Sequence, residues 1–423
     1  MHCKSYEMSR RHFLGAGIAG MATLMGMNVR DLIAASNAAT SDGRMADHVI
    51  LLWMSGGMSH IDTFDPKPGR PTAGEFEPIR TSADGIDIAE IFPKVAEQMK
   101  HAALVRSIAG TEGDHGRARY NVMTGYKMTP QLIHPGIGSI VSNQVEAINE
   151  LPSFVSIGGR ASAAGYLGQK HDAYYIGRPG EPDPYMQLPE DLPHHAAEKR
   201  MDLLAQMNQQ YTRRVDDEML RDTQGAYAAA ERFMASPALK AFDIDNEDPA
   251  VREAYGDTGF GRGCLLARRL VESGVRFVQV SLGGFDTHSN NFPAMRNLGE
   301  TMDPAIASLI GDLNGSGLLK RTMVIVLSEF GRTPRVNGAA GRDHHPRVFS
   351  AMMAGGGVTP GTVIGASDED GYEPRDQPVR IGDVHATVCK ALGISPSKQL
   401  KTPLGRPMRI VDEGEAVEGL LTA

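Results

Sequence analysis

The chain has 423 residues, a formal net charge of −8 at pH 7 and 41% hydrophobic residues. The hydrophobic share is that of an ordinary globular protein, which argues against a disordered chain. The acidic balance gives no electrostatic support to nucleic-acid binding, so we expect no nucleic-acid partner.

The N-terminal segment has the pattern of an export signal. Arg10 and Arg11 form a pair that precedes "HFLGAGIAGMATLMGM", an apolar run too short to span a bilayer. Ser36 and Ala38 are small residues at the spacing that a signal peptidase reads. The pattern predicts a twin-arginine signal peptide over residues 1–38 and a periplasmic or extracellular protein with no further transmembrane segment. Retention of the signal as a membrane anchor stays open.

Two cysteines, Cys264 and Cys389, follow the predicted signal. They lie far apart in sequence and form no C-x-x-C motif, which excludes a zinc knuckle or a redox pair of that type. An oxidising compartment would permit a disulfide between them, but we expect two separate buried thiols.

Apolar runs alternate with helical patterns along most of the remaining chain. Helices are predicted over Ala89–Lys100, Pro135–Val145 and Asp383–Ile394, with Pro135 in the first helical position of its helix. A further helix is predicted to end at Gly274. Buried strands are predicted over Asp47–Gly57, Ala102–Gly110 and Leu151–Gly159, after Gly274, and in the runs that begin at Thr322 and Val348.

This alternation predicts an α/β fold in which a mostly parallel central sheet has helices on both faces. We expect a single domain over residues 46–423. Its one irregular part is the long, charged segment at about 193–236, bracketed by Pro193 and Pro237, which has few β-branched residues. We predict that this segment is a helical insertion.

Polar loops follow four of the predicted strands, and ligands of open α/β sheets bind at the carboxyl ends of strands. The loops are "SGGMSHIDTFDPKPG", "TEGDHGRARYNVMTG", "GGFDTHSNN" and "SEFGRTPRVNGAAGRDHHP". Together they offer His60, Asp62, Asp65, Asp114, His115, Asp286, His288, Glu329, Asp343, His344 and His345. Carboxylates mixed with imidazoles suit a divalent ion such as Zn or Mn, and Ca if oxygen ligands dominate.

Each of these loops also has an ordinary structural interpretation. Asp286 could cap the following segment through an Asx-type hydrogen bond, and "DHH" could be a solvated loop. Glu329 is harder to explain in this way, because an acid at the mouth of an apolar strand must be paired, hydrated or bound to a metal.

Several of these motifs resemble one known family. The stretches "GGMSHIDTFDPKP", "GGFDTHSNN" and "LSEFGRTPRVNGAAGRDHHP" look like the bacterial exported family called domain of unknown function 1501. That family is placed in the alkaline phosphatase and sulfatase superfamily. The resemblance implies an alkaline phosphatase-like fold and a site in which one or two metals assist cleavage of phosphate or sulfate esters.

The resemblance also implies a set of metal ligands. The superfamily's Asp-and-His pair after a central strand is similar to Asp286 and His288, and a later histidine to His344 or His345. An Asp-His pair after the next strand falls on Glu329 and Phe330, so one imidazole is lost. After the first strand the usual Asp is replaced by Ser55 or Gly56, so His60 or Asp62 would have to reach the metal.

The stretch "HGRARYNVMTG" is similar to the run that follows a sulfatase nucleophile. Arg119 falls on the arginine of that run, and His115 takes the place of the nucleophilic Cys or Ser, so no formylglycine can form. His115 could be a covalent nucleophile, a metal ligand that replaces the imidazole lost at Phe330, or a general acid/base oriented by Asp114. We favour the ligand.

The function predicted from the sequence is that of an exported metal-dependent hydrolase of phosphate or sulfate esters that lacks the usual nucleophile. His115 and Arg119 are its candidate catalytic residues, and the substrate is a small anionic compound or ester. Arg119, Arg332 and Arg342 are the candidates to bind the anionic group in a forked pair. The alternative is a non-catalytic binding or assembly component of an exported complex with the same fold.

Overall fold

The computed structural model describes residues 43–181, 186, 193–212 and 218–422. The predicted signal peptide and part of the predicted helical insertion lie outside these residues. Residues Met45–Ala423 form one compact unit. None of the helices in the described residues combines the length and apolar character that a bilayer span requires.

The described residues contain seventeen strands and nine α-helices. The strands are β1 (His48–Met54), β2 (Pro78–Arg80), β3 (Asp87–Ala89), β4 (Ala102–Ala109), β5 (Phe154–Ile157), β6 (Tyr174–Ile176), β7 (Phe277–Leu282), β8 (Thr322–Leu327), β9 (Gly331–Arg332), β10 (His344–His345), β11 (Phe349–Ala354), β12 (Thr362–Ile364), β13 (Ala366–Ser367), β14 (Pro374–Asp376), β15 (Val379–Arg380), β16 (Gln399–Lys401) and β17 (Pro407–Arg409). The helices are α1 (Pro93–Gln98), α2 (His115–Thr124), α3 (Ile137–Gln144), α4 (His194–Thr212), α5 (Glu218–Ala235), α6 (Pro249–Tyr255), α7 (Gly259–Glu272), α8 (Asn291–Gly315) and α9 (Ile381–Ala391).

Nine strands form the central sheet, in the order β12-β4-β11-β8-β1-β7-β5-β6, with β15 also paired to β4. All pairs are parallel except those of β11, which runs antiparallel to both β4 and β8. The prediction of a mostly parallel sheet is therefore confirmed.

Helices cover both faces of this sheet. Strand β1 shows the reason, because its alternate side chains point to opposite faces. Ile50 and Leu52 join one apolar cluster, to which α1, α7 and α8 contribute, while Leu51 and Trp53 join a second cluster with α3 and α9. The sheet is thus buried on both sides, which explains why its strands are continuous apolar runs.

The observed elements differ from the predicted ones in three details. The helix expected over Ala89–Lys100 is shorter, because Ala89 ends β3 and α1 begins at Pro93. Pro135 does not occupy the first helical position of α3, since Gly136 is the N-cap residue. The helix before Gly274 ends at Glu272, and Gly274 has a φ of 97°, which a glycine adopts without strain.

Two long helices, α4 and α5, lie within the segment predicted to be a helical insertion, although the domain assignment itself stays a prediction. Cys264 and Cys389 are buried free thiols, and burial raises the pKa of Cys389 to about 12. Neither thiol is therefore ionised near neutral pH.

Candidate metal centre

The candidate centre lies at the carboxyl edge of the central sheet. Strands β1, β4, β7 and β8 run in the same direction, so their carboxyl ends face one edge. The four polar loops identified in the sequence follow these strands and converge there. This is the location that the α/β architecture predicts for a ligand.

His115 is the first residue of α2. The helix begins there because the Asp114 carboxylate accepts a hydrogen bond of 3.0 Å from the backbone N–H of Arg117. That bond is the main cause that lowers the pKa of Asp114 below its usual range. Asp114 therefore caps the helix, and the imidazole of His115 is oriented by another carboxylate.

That carboxylate belongs to Glu329, which is buried at the end of β8. Its Oε1 lies 2.9 Å from Nδ1 of His115 and also accepts the backbone N–H of Gly56 at 2.8 Å. Its Oε2 accepts the hydroxyl of Ser328 at 3.1 Å. With a carboxylate as acceptor, Nδ1 of His115 is the donor, and in the neutral imidazole Nε2 then presents a lone pair. Glu329 thus supports the ring of His115.

His344 is held in the same way by a backbone carbonyl. Its Nδ1 lies 2.7 Å from the carbonyl oxygen of Gly113, in the loop that precedes α2. A carbonyl can only accept, so Nδ1 of His344 is the donor, and in the neutral imidazole Nε2 presents a lone pair. The neighbouring His345 points to the other side of the short strand β10, and its Nε2 contacts the carbonyl of Tyr372 at 2.7 Å.

His288 follows β7 and is oriented by Asp343. Nδ1 of His288 lies 2.7 Å from Oδ1 of Asp343, and the side-chain amide of Asn337 donates to the same oxygen at 3.3 Å. The hydrogen bond from His288 is the main cause that lowers the pKa of Asp343. The carboxylate holds a proton on Nδ1, so in the neutral imidazole Nε2 of His288 presents a lone pair as well.

Asp286 also follows β7. It supplies the only carboxylate in a group of four neighbouring side chains, the others being the imidazoles of His115, His288 and His344. Nη2 of the fully buried Arg332 lies 2.5 Å from its Oδ1, and Nε of Arg332 donates to the carbonyl of Gly57 at 3.0 Å. Burial would raise the pKa of Asp286, but the hydrogen bond and charge of Arg332 outweigh it and hold that pKa well below its usual range. Asp286 is therefore ionised throughout the physiological pH range.

Three imidazole nitrogens lie around the carboxylate of Asp286. Oδ1 of Asp286 lies 3.1 Å from Nε2 of His288 and 3.2 Å from Nε2 of His344, while Oδ2 lies 3.3 Å from Nε2 of His115. His115, Asp286 and His344 each offer one ligand atom, and these three atoms lie within 4.8 Å of one another. We call His115, Asp286, His288 and His344 the metal cluster.

The hydrogen-bond pattern of the metal cluster is incomplete without a cation. Nε2 of His288 and Nε2 of His344 are 2.9 Å apart, so in the neutral rings, with the protons on Nδ1, two lone pairs face each other. Nε2 of His115 is buried and makes no hydrogen bond within the described residues. Unpaired buried polar atoms are costly, so this arrangement fits a divalent ion that accepts all three lone pairs and the charge of Asp286.

Phe330 packs beneath two rings of the metal cluster. Its ring centroid lies 4.9 Å from that of His115 and 4.7 Å from that of His344, and the side chain is fully buried. A Cβ atom at Gly57 would overlap the ring of Phe330, so the "SGG" turn after β1 leaves the space that the phenyl group fills. This position contributes packing in place of the imidazole that the family resemblance leads one to expect.

Three other predicted metal ligands lie outside the metal cluster. His60 is completely buried, its Nε2 contacts the carbonyl of Gly371 at 2.9 Å, and burial lowers its pKa to about 4. His345 faces Tyr372, as described above. Asp62 is buried in an ion pair with Arg342, whose Nε lies 2.8 Å from Oδ2. These side chains are already bonded to the protein, which is why we exclude them from the centre.

The three arginines predicted to bind an anionic substrate also differ in position. Arg332 and Arg342 are fully buried, and their guanidinium groups bond to Asp286, to Asp62 and to backbone carbonyls. Arg119 alone is not buried: it is partly exposed and has one contact to the carbonyl of Arg160. Of the three, Arg119 is the one that could reach a substrate.

The family described as "Protein of unknown function (DUF1501)" matches residues 46–421. The chain belongs to this family. No curated protein is similar enough in sequence to match the DUF1501 chain.

Solved structures similar to the DUF1501 chain include a sulfatase, PsFucS1 from Pseudoalteromonas sp., at 13% identity and a TM-score of 0.40; the match covers 86% of this chain and 72% of that one. The phosphonate monoester hydrolase SpPMH from Silicibacter pomeroyi has 10% identity and a TM-score of 0.36, with coverage of 88% and 76%. A mutant of TAB5 alkaline phosphatase with Mg bound has 16% identity and a TM-score of 0.32, with coverage of 77% and 95%. The likeness is one of fold.

Sequence patterns did not single out two groups that support the metal cluster of the DUF1501 chain. The carbonyl of Gly113 has no residue-type signature, because every residue carries one. Asn337 donates to the carbonyl of His288 at 3.0 Å as well as to Asp343. Its signal is the Asn-Gly turn in "RVNGAAGRDHH", which marks a tight loop without indicating what the amide binds.

We expect Gly341→Ala to weaken metal binding by about 10- to 100-fold, the range found when supporting groups of a metal site are lost. A Cβ atom at Gly341 would overlap the carbonyl oxygen of His288, so the loop that carries Asp343 and His344 must move away. The measurement is metal affinity by competition with a chromogenic chelator. Gly338→Ala in the same loop is the matched control, because a Cβ atom there has no neighbour within 4 Å. Equal affinities in the two variants would contradict this role of Gly341.

Proposed function

We propose that this protein is a metal-dependent hydrolase of phosphate or sulfate esters. The observation that carries the proposal is the placement of three imidazole Nε2 atoms around one ionised carboxylate, with Nδ1 of each histidine bonded to the protein. The donor set of three nitrogens and one oxygen suits a zinc-like or manganese-like ion better than Ca, which takes oxygen ligands. When bound, such an ion supplies Lewis acidity towards the oxygens of an ester.

The surrounding residues hold the three imidazole rings in one orientation. Glu329, Asp343 and the carbonyl of Gly113 each accept the Nδ1 proton of one histidine, which keeps Nε2 available. Arg332 joins Asp286 to the turn after β1 and balances its charge. The ligands are thus positioned before a substrate arrives, which is a requirement for efficient catalysis.

Access and charge support an anionic substrate. Asp286 and His288 are about half exposed, with side-chain exposures of 50% and 47%, so the metal cluster is open to solvent. The N-terminus of α2 lies at the cluster, and its backbone N–H groups favour negative charge. Arg119 is one turn further along the same helix, close enough to bind a phosphate or sulfate group through its fork of donors.

One observation favours a second candidate, a non-catalytic binding component. In the hydrogen-bond network of the described residues, the hydroxyl nearest to the metal cluster is that of Ser328. It bonds to Glu329 and lies 2.5 Å from the carbonyl oxygen of Met54. No Ser, Thr or Cys side chain in this described network bonds to the metal cluster itself. A hydrolase of this kind would therefore have to use water as the nucleophile.

The test is metal content followed by a substrate panel. We expect the purified chain to hold about one divalent ion, and to hydrolyse a phosphomonoester, a phosphodiester or a sulfate ester in a reaction that a chelator stops and added zinc or manganese restores. A chain that binds the ion but hydrolyses no ester of the panel would support the binding component. A folded chain that binds no ion would overturn both.

We also propose that the protein acts outside the cytoplasm, on the basis of the twin-arginine pattern at Arg10 and Arg11. Fractionation of cells that produce the full chain tests this: a folded protein found only in the cytoplasm would contradict it.

A further inference from the structure

A second surface of the molecule combines positive charge with exposed apolar side chains. The C-terminal segment 394–411 carries four basic residues and no acidic one, although the whole chain has a net charge of −8. The basic residues are Lys398, Lys401, Arg406 and Arg409. All four are exposed, and none forms an ion pair within the described part of the chain. Strands β16 and β17 make this segment a hairpin.

The tip of this hairpin displays a leucine. Leu404 is 97% exposed. The turn around it is fixed by backbone hydrogen bonds from Thr402 to Arg406 (2.9 Å) and from Gly405 to Thr402 (2.8 Å). Pro403 and Pro407 stiffen the chain on either side. The backbone therefore holds Leu404 in solvent, where a large apolar side chain is unfavourable unless something covers it.

A neighbouring segment has the same character. Residues 127–133 form a tight turn closed by a bridge between Thr129 and Leu132, and within it Met128 is 51% and Ile133 is 64% exposed, beside Lys127. The hydroxyl of Tyr126 donates to the carbonyl of Arg409 at 2.6 Å and ties the two segments together. We call residues 127–133 and 398–409 the basic apolar surface.

The two segments also border one cavity of about 700 Å³. Lys127 and Arg406 line it, but so do Asp412 and Glu413, so its lining has mixed charge. The uniform positive charge and the exposed apolar groups belong to the hairpin and the turn. We therefore assign binding to these segments and not to the cavity.

We propose that the basic apolar surface docks on a bilayer that contains anionic phospholipid. Single exposed apolar residues are common, but three large ones beside five basic side chains on two connected turns form a patch. Basic side chains attract anionic headgroups, while leucine, isoleucine and methionine enter the boundary between headgroups and acyl chains. A sulfated or phosphorylated glycan would match the charge but has no apolar part to cover Leu404, Met128 and Ile133.

The metal cluster lies one short helix away from the basic apolar surface. Helix α2 begins with His115 at the cluster and ends at Thr124, two residues before Tyr126. A helix of ten residues is about 15 Å long, so the two sites are about one short helix apart. The docking surface is distinct from the catalytic one, and its test does not depend on hydrolysis.

The sequence offers a site-specific readout of docking. Trp53 is the single tryptophan and is 1% exposed, so a Leu404→Trp substitution adds one exposed indole. We expect its fluorescence to shift to the blue and to be quenched when the full chain is mixed with vesicles of equal parts phosphatidylcholine and brominated phosphatidylglycerol. Leu203→Trp, at an exposed position of α4, is the control and should remain unquenched. Any binding by the N-terminal segment is the same in both variants.

The charge dependence is tested with two further variants. Each basic residue near an anionic surface strengthens binding by about fivefold, so we expect Lys401→Gln with Arg406→Gln to reduce vesicle binding by about 25-fold. Lys199→Gln with Lys320→Gln removes the same charge from exposed lysines elsewhere and should change little. An unquenched Leu404→Trp chain, equal losses in the two charge variants, or retention on a sulfated glycan without binding to vesicles would each overturn the proposal.

Discussion

A His344→Gln chain should bind its metal ion at least about 100-fold more weakly than the unmodified chain. His344 contributes the Nε2 atom that faces both Asp286 and His288, at 3.2 Å and 2.9 Å. Glutamine has similar length and polarity but offers a weakly binding amide in place of an imidazole lone pair. Replacing this proposed ligand also removes the bond to the carbonyl of Gly113, which holds the loop before α2. Metal per chain is measured by mass spectrometry after dialysis.

The adjacent residue provides a matched control. His345→Gln alters the same short strand, but its side chain points away from the metal cluster and contacts the carbonyl of Tyr372. A glutamine amide can keep a hydrogen bond to that carbonyl, so this variant should retain the metal content of the unmodified chain.

His115→Ala should lose metal as His344→Gln does. Unchanged metal content in His115→Ala would show that His115 is not a ligand and would reopen its role as a nucleophile.

Arg342→Met should lower the free energy of unfolding by about 3–5 kcal/mol, because it leaves a buried carboxylate without its partner. Nε of Arg342 lies 2.8 Å from Oδ2 of Asp62, and Nη2 lies 3.0 Å from Oδ1. Neither side chain is exposed. The same guanidinium donates to the carbonyls of Thr72 and Thr333, each at 3.1 Å, which would lose their donor. The measurement is equilibrium unfolding in urea.

An exposed arginine in the same region shows what an ordinary ion pair contributes. Arg347 pairs with Glu373 on the surface, with side-chain exposures of 67% and 48%. Arg347→Met should therefore change stability by less than about 1 kcal/mol. Arg342→Met combined with Asp62→Leu removes both buried charges and should recover part of the loss. If Arg342→Met is as stable as Arg347→Met, the buried pair does not stabilise this loop.

The sequence predicted the location of the metal cluster better than its composition. Asp286, His288 and His344 could be chosen because they follow apolar runs, and parallel strands bring such positions to one edge. By that criterion His60 and Asp62 were equally good candidates for metal ligands. They differ because one backbone carbonyl and one buried arginine bind them, and these partners lie about 310 and 280 positions away in the chain.

Glu329 shows a different limit. The sequence indicated correctly that an acid at the end of a buried strand needs a partner. Whether that partner is a metal ion or Nδ1 of His115 depends on the position of α2 at the ångström scale, which the sequence does not show. The direction of β11 was equally hidden, because "FSAMMA" is an apolar run that reads the same in a parallel or an antiparallel pair.

The position of β11 has a consequence for the order in which the molecule assembles. His115 follows β4. Among the described strands, β4 pairs with β11, β12 and β15, which all come later in the chain than the other proposed metal ligands. A nascent chain that ends before Phe349 already contains all four ligand residues but lacks the strand that joins β4 to β8. We therefore expect the ion to enter after synthesis is nearly complete, in one step with closure of the sheet, so that metal loading reports a finished fold.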